Sequence, residues 1–355
     1  MRIVVTGATG NVGTSVVAAL AGDPGVREIV GIARRLPRLE HPRTTWVAAD
    51  VAQDPLVELF RGADAVVHLA WLIQPSRDES VTHAVNVDGS RRVFEAAAAA
   101  GVGALVHASS IGAYSPAPDD RVVDESWPTD GTPSSFYGRH KAAAERILDA
   151  VEAAHPELRV VRLRPALCFK REAASGVRRL FAGPLLPSPL VRPELIPVLP
   201  LPAGLRVQAV HSDDVADAYR LAATDARARG AYNVAADPVL DAAELGRALG
   251  ARPVQVPVRA VRAAADLTWR ARLQPTPPGW LDMGMGVPLM DSGRIRRELG
   301  WAPRHAADDA LLELLAGLHD RAGAPTPPLE SGKGGPLRVR EVLETRVGAR
   351  DVSRR

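Results

Sequence analysis

Thr6-Gly7-Ala8-Thr9-Gly10-Asn11-Val12-Gly13 is the stretch on which the fold turns. A short β-branched run, residues 3–6, precedes it, and a helical pattern over 12–21 follows. Glycines spaced G-x-x-G-x-x-G at a strand-to-helix turn allow a tight bend and a close backbone approach to a pyrophosphate. The phosphate charge then meets the N–H groups of the first helical turn. Gly7, Thr9, Gly10, Asn11, Val12 and Gly13 are therefore candidate contacts of a dinucleotide. Glycines alone are weak evidence in a chain with 30 of them; their place between the first strand and the first helix gives the motif its weight.

The surrounding sequence has the matching rhythm. Strand patterns at 28–33, 44–48, 65–69, 104–108 and 159–163 alternate with helix patterns at 55–61, 80–100 and 135–154. Strands alternating with helices predict βαβ units and a parallel sheet with both faces covered. The fold class expected is α/β, a Rossmann doubly wound sheet over residues 1–165 with a smaller mixed lobe over 166–322. Residues near 205–235 are expected to return to the first domain. The proline-rich run 183–204 cannot form long regular elements and reads as a wall over the site. Further helices are expected at 212–223, 241–249, 294–299 and 306–318, with a strand at 231–234. Residues 323–355 read as a disordered basic tail.

Composition sets outer limits. The sequence pI is near 9.3, but residues 332–355 alone carry seven Lys/Arg against three Asp/Glu, or +4. The whole chain is +3, so the rest sums to about −1. That pattern predicts a solvated tail and no nucleic-acid partner. With one cysteine, Cys168, no intramolecular disulfide can form. The longest apolar stretch is too short to span a membrane, and the chain opens directly on a strand pattern. The expectation is a cytoplasmic protein with no membrane partner. The nine histidines show no metal-ligand spacing, so no metal is expected.

The second strand decides the cofactor. An acid about 20 residues beyond the glycine loop favours NAD, and an arginine there accommodates the 2′-phosphate of NADP. Here the strand ends Ala33-Arg34-Arg35. The reading favours NADP over NAD.

Chemistry is carried by Tyr137 and Lys141. Four residues apart on a helix, they share a face. A nearby ammonium favours the phenolate, so the spacing predicts a Tyr137 tuned downward for proton exchange with a substrate hydroxyl or carbonyl. Lysine is scarce, three residues against 41 arginines, which makes the pairing more informative. Ser109 and Ser110 follow the strand 104–108, at the carboxyl edge where open α/β sheets place ligands. His68 reads as a packed structural histidine, and Cys168 as a small buried residue.

Together these motifs resemble the extended short-chain dehydrogenase/reductases, the NAD-dependent epimerase/dehydratase family. Thr6–Gly13 matches its TGxxGxxG. Asp50-Val51 matches the acid-plus-apolar pair at the adenine. His68-Leu69-Ala70-Trp71 resembles H-L-A-A, with Trp71 a departure near the nicotinamide. Asn86-Val87-Asp88-Gly89-Ser90 resembles N-V-x-G-T. Ser109-Ser110-Ile111-Gly112-Ala113-Tyr114 resembles S-S-x-x-x-Y, Tyr137–Lys141 matches Y-x-x-x-K, and Arg164-Pro165 matches an R-P turn. His211–Ala216 resembles H-V-D-D-V-A, and Tyr232–Val234 resembles Y-N-V.

The resemblance implies Ser110, Tyr137 and Lys141 as catalytic residues. It adds Asp50, Val51, Leu69, Ala70, Asn86, Tyr137, Lys141 and Pro165 to the cofactor contacts, beside Arg34 and Arg35, with Lys141 at the nicotinamide ribose. It also implies a homodimer paired through the helices 80–100 and 135–154. Sugar dehydratases of the family carry Asp-Glu after the serine; here Ile111-Gly112 stand there and transfer no proton. Trp71, Ser110 and Arg178 are candidate substrate contacts, with Arg179 or Arg192 as further diphosphate ligands. The enzyme expected moves hydride between a nicotinamide and a small-molecule secondary alcohol or carbonyl. Two alternatives stand beside it: a nucleotide-sugar epimerase with retained NAD, and a non-catalytic NADP-sensing module.

Overall fold

Seven parallel strands form the central sheet, in the order Gly230–Val234, Arg159–Pro165, Ala104–Ala108, Ala65–His68, Arg2–Thr6, Glu28–Ala33, Thr44–Ala48. The computed structural model describes residues 1–73, 77–117, 119–178, 180, 197–274 and 276–331. Strand order reverses at Arg2–Thr6, whose neighbours are Ala65–His68 and Glu28–Ala33. This doubly wound arrangement leaves a ligand crevice at the carboxyl ends beside the reversal.

Alternation along the strands builds a core on each face. Ile3, Val5, Val67, Val106 and Val161 face one way, packed with Val16, Val17 and Leu20 of helix Asn11–Gly22 and Val215 and Tyr219 of helix Ser212–Thr224. Val4, Val66, Leu105 and Val160 face the other, against Val93 and Phe94 of helix Gly89–Ala99 and Ile147, Leu148 and Val151 of helix Phe136–Ala154. Over the inner strands both faces are dry, which is why residues 3–5 and 65–67 read as unbroken apolar runs; the edge strand Thr44–Ala48 stays partly exposed.

A three-stranded sheet, Ala236–Asp241, Arg206–His211 and Leu167–Phe169, lies beyond the main one. Of the segments near 205–235, strand Gly230–Val234 extends the central sheet, while helix Ser212–Thr224 packs on helix Asn11–Gly22. Local signals set the ends of other elements. Asp241 caps helix Ala242–Leu249 by accepting from the Glu244 N–H, and Gly250 closes it with φ +61°.

Four expectations change. The run 80–100 is not one helix: Glu79–His83 and Gly89–Ala99 are joined by a π-helical turn at Ala84–Asp88. The pattern at 55–61 gives only the short helix Val57–Phe60. The proline-rich run contains a strand, Val198–Pro202, paired with Arg252–Val256 in a two-stranded sheet; two strands have only edges, where missing proline N–H groups are tolerated. Its residues 183–196, Arg192 among them, lie outside the described residues, as do Arg179 and the tail 332–355. Residues 323–331 are not a disordered tail: Thr326 and Leu329 are buried, and the Thr326 hydroxyl donates to the Thr9 carbonyl at 2.9 Å.

Candidate active site

The glycine loop sits on backbone. Gly7 has φ +70°, a conformation that favours glycine. A Cβ there would lie 2.5 Å from the Ala70 nitrogen, and one at Gly13 would lie 2.3 Å from the Gly7 carbonyl oxygen. Residues 69–70, the loop and the first helix are thus in main-chain contact. Gly10 precedes helix Asn11–Gly22 as its N-cap without a capping side chain. The first-turn N–H groups, those of Asn11, Val12 and Gly13, have no acceptor within the helix, which suits an anion. The Asn11 side chain is committed elsewhere: its amide donates to the Cys168 carbonyl at 3.0 Å and its oxygen accepts from Ser212 at 3.0 Å.

On the adenosine side, Arg34 and Asp50 line a common cavity of about 280 Å³ with Ala52, Gln53, Leu72 and Val81. Arg35 is exposed beside it and does not line it. The Asp50–Val51 turn is held in place, since Arg92 donates to the Val51 carbonyl and the Asp54 carboxylate accepts from the Asp50 N–H. Asn86 stands in the middle of the π-helical turn. Its side chain clamps the backbone of Leu72, accepting from the N–H at 2.7 Å and donating to the carbonyl at 3.0 Å. Pro165 ends strand Arg159–Pro165 beside Val234.

Ser110, Tyr137 and Lys141 meet at the opposite end of the crevice. Ser110 is extended and buried, and its hydroxyl caps the short 3₁₀ turn Ile111–Ala113 by accepting from the Gly112 N–H. Tyr137 and Lys141 lie in the first two turns of helix Phe136–Ala154, whose N-terminus Ser135 caps by accepting from the Gly138 N–H. Lys141 is buried and donates to the Ala108 carbonyl at 2.6 Å, where strand Ala104–Ala108 ends. The Trp71 ring lies over the same ammonium, 3.4 Å from its centroid.

The expected downward tuning of Tyr137 is not what the structure holds. Burial pushes its phenol up to about 12, and hydrogen bonding to Ser110 only partly opposes this. Burial likewise pulls the Lys141 ammonium well below its ordinary value, against the charge of Glu145. Burial is the cause; the Lys141 ammonium lies 5.6 Å from the Tyr137 ring centroid, bonded to the Ala108 carbonyl and covered by Trp71.

Several residues here escaped the sequence reading. Trp280 packs on Tyr137 with ring centroids 5.1 Å apart, and Met283 and Phe136 complete an apolar cluster with it. Gly112 makes room for the tyrosine; a Cβ at 112 would sit 2.9 Å from the Tyr137 ring. Glu145, one turn beyond Lys141, accepts from Ser109 and Arg164; continuing the i+4 spacing past Lys141 would have found it. Arg178 is buried in the segment after Pro165. His68 is the packed histidine expected, bonded to Thr6 and Ser90. Cys168 is partly exposed and not the buried residue expected; desolvation of its thiol still pushes it up to about 12, so it is a poor nucleophile. No helix among the described residues is long and apolar enough to cross a membrane.

Comparison with known proteins agrees with this fold and shows the family. The sequence profile of the NAD dependent epimerase/dehydratase family matches residues 3–235. An uncharacterized protein of Mycobacterium tuberculosis is 30% identical over 328 residues, which is 91% of this chain. This chain spans only 31% of that protein's length. A dTDP-glucose 4,6-dehydratase of Streptomyces griseus is 27% identical, covering 90% of this chain and 94% of its own. A short-chain dehydrogenase/reductase superfamily protein of Agrobacterium tumefaciens, solved with bound NAD, superposes with a TM-score of 0.67 at 25% identity. That match covers 90% of this chain and 98% of the other.

Proposed function

We propose that this chain, which belongs to the NAD-dependent epimerase/dehydratase family of extended short-chain dehydrogenase/reductase enzymes, catalyses hydride transfer between NADP and a secondary alcohol or carbonyl. The observation that carries the reading is the convergence of Ser110, Tyr137 and Lys141 at the carboxyl edge of the sheet that also bears the glycine loop. The loop's bare first-turn N–H groups and the Arg34/Asp50 cavity fit the two phosphates and the adenosine of a dinucleotide. Bound there, the cofactor supplies the hydride donor or acceptor.

The chain's own residues supply the proton. In reduction, the Tyr137 hydroxyl donates its proton to the substrate oxygen as carbon receives hydride. In oxidation the phenolate takes that proton back. Ser110 donates a hydrogen bond to the same oxygen and stabilises developing charge. Lys141 favours the phenolate and meets the nicotinamide ribose. Trp71, Trp280 and Met283 give the substrate end an apolar wall, the part played by residues 166–322 and the loop after His68.

That wall, with Arg34 at the ribose, favours a reductase or dehydrogenase over a nucleotide-sugar epimerase. Elimination of the sugar-dehydratase kind lacks its acids, and Gly112 leaves no room for one. Tyr137→Phe is expected to lower turnover at least a thousandfold while NADP affinity, measured by calorimetry, changes less than threefold. Unchanged turnover would overturn the mechanism. NAD that co-purifies and never dissociates would favour the epimerase.

A further inference from the structure

Trp71 stands where the family motif has a small residue, and its position is specific. Its indole covers the Lys141 ammonium at 3.4 Å and meets Tyr137 edge-on, with ring centroids 6.0 Å apart. The ammonium makes one hydrogen bond among the described residues, to the Ala108 carbonyl. Trp71 covers another side of it. A ribose diol cannot bond to Lys141 from the side the ring occupies while the ring is there.

Two further features make the indole movable and its backbone fixed. Ala70 abuts Gly7, and Leu72 is clamped through both its N–H and its carbonyl by Asn86. The main chain on either side of Trp71 is therefore pinned, and only rotation about the side-chain bonds remains. The indole Nε1 is buried and finds no hydrogen-bond partner among the described residues. A buried donor left unmade is unfavourable, so the covering position is held by the ring's contacts with Lys141 and Tyr137 and not by a hydrogen bond of the indole's own.

We propose that Trp71 is a displaceable cap on Lys141, which the nicotinamide half of the dinucleotide must turn aside, and that it sets how tightly that half is held. The inference rests on the reading of Lys141 as the group that meets the nicotinamide ribose. With the cap on, the indole shields one side of the Lys141 ammonium. With it displaced, that side is open to the nicotinamide ribose. The adenosine half, bound at Arg34 and Asp50, does not touch the cap.

Calorimetric titration of the purified chain with NADP and with 2′,5′-ADP, which lacks the nicotinamide ribose, separates these terms. Trp71→Ala is expected to bind NADP about tenfold more tightly, the size of one partly desolvated cation–π contact. Its affinity for 2′,5′-ADP should stay within twofold of the parent. Trp71→Leu guards against a folding defect in the alanine variant, and circular dichroism checks both. In a Lys141→Met background the Trp71 substitution should no longer change NADP affinity. Unchanged or weakened NADP binding by both Trp71 variants, with 2′,5′-ADP binding intact, would refute the cap and leave the nucleotide site standing. Failure of the parent chain to bind 2′,5′-ADP would remove the nucleotide reading, and the cap with it.

Discussion

Ser109 donates its hydroxyl to Glu145 at 2.5 Å, and this bond ties the end of strand Ala104–Ala108 to the helix that carries Tyr137 and Lys141. Glu145 is buried and also accepts two bonds from Arg164, at 2.8 and 3.0 Å. Arg164 reaches on to Tyr114, and Tyr114 to Asn233. Ser110, the proposed catalytic serine, is thus one residue away from an ionic network that crosses the sheet. Burial alone would raise the Glu145 carboxyl, but bonds and charge from Arg164, with Ser109 and Arg162, outweigh it and hold the group below its ordinary value. Glu145→Gln leaves the buried Arg164 guanidinium without its counter-charge, while Arg162 keeps Asp149 and Glu152. A loss of about 3 kcal/mol in unfolding free energy is expected, read from urea denaturation at pH 7. Because the folded carboxyl is depressed, its contribution is present above about pH 4.3 and fades as pH falls further. The difference between parent and variant should therefore shrink in acid.

His68 gives the opposite end of the same titration. Burial, helped by the charge of Lys141, pulls its imidazole down to about 3. The unfolded chain protonates near pH 6.5, so the folded state binds the proton less well and loses stability as pH falls from 6.5 towards 3. One such group is worth about 2 kcal/mol by pH 5. His68→Gln should be less stable than the parent at pH 7, having lost the fit to Thr6 and Ser90. Its stability should then decline less steeply between pH 7 and 5, by about that amount. Parallel slopes in the two proteins would show that His68 charges inside the folded state.

Gly112 is the test of how finely Tyr137 is placed. A methyl group there would lie 2.9 Å from the Tyr137 ring and 3.1 Å from the Met283 sulfur. Methionine yields; the ring, held between Trp71 and Trp280, has little room to. Gly112→Ala is expected to lower kcat at least tenfold, since small displacements of a reacting group are costly. Overpacking should destabilise the fold by only about 1–2 kcal/mol. A variant with full kcat would show that the ring tolerates the shift.

The sheet was legible because its signal is local. Strands such as Glu28–Ala33 and Thr44–Ala48 are short apolar or β-branched runs bounded by turns, and their ends in the structure match the pattern. The Tyr137/Lys141 spacing needed only helix geometry. What stayed hidden depends on distant residues. Nothing near Asn86 announces a π-helical turn; its reward is a clamp on Leu72, 14 positions away. Trp280 reads as one more aromatic until the fold brings it to Tyr137. Residues 323–331 have the composition of a loose tail, but Thr326 finds the Thr9 carbonyl 317 positions upstream. The Tyr137 phenol is pushed up and not down because spacing shows that a lysine shares a face, and not how deeply the phenol is buried.

Under the proposed function, Arg34 carries the choice of cofactor. It follows the second strand, Glu28–Ala33, is exposed, and shares a cavity with Asp50 and Gln53. No carboxylate stands in the Ala33-Arg34-Arg35 run to bind a ribose diol. If the guanidinium pairs with a 2′-phosphate, removing it costs a charge-assisted interaction of about 1.5–3 kcal/mol. Arg34→Ala should then weaken NADP binding by roughly 10- to 100-fold and leave NAD binding within about twofold, both measured by calorimetry in the same buffer. Raising the salt concentration should narrow the gap between parent and variant, since the pair is exposed and screened. Arg35→Ala, outside the cavity, should have the smaller effect. Equal losses for NADP and NAD in the Arg34 variant would place its guanidinium on the pyrophosphate or the adenine instead, and would withdraw the preference for NADP.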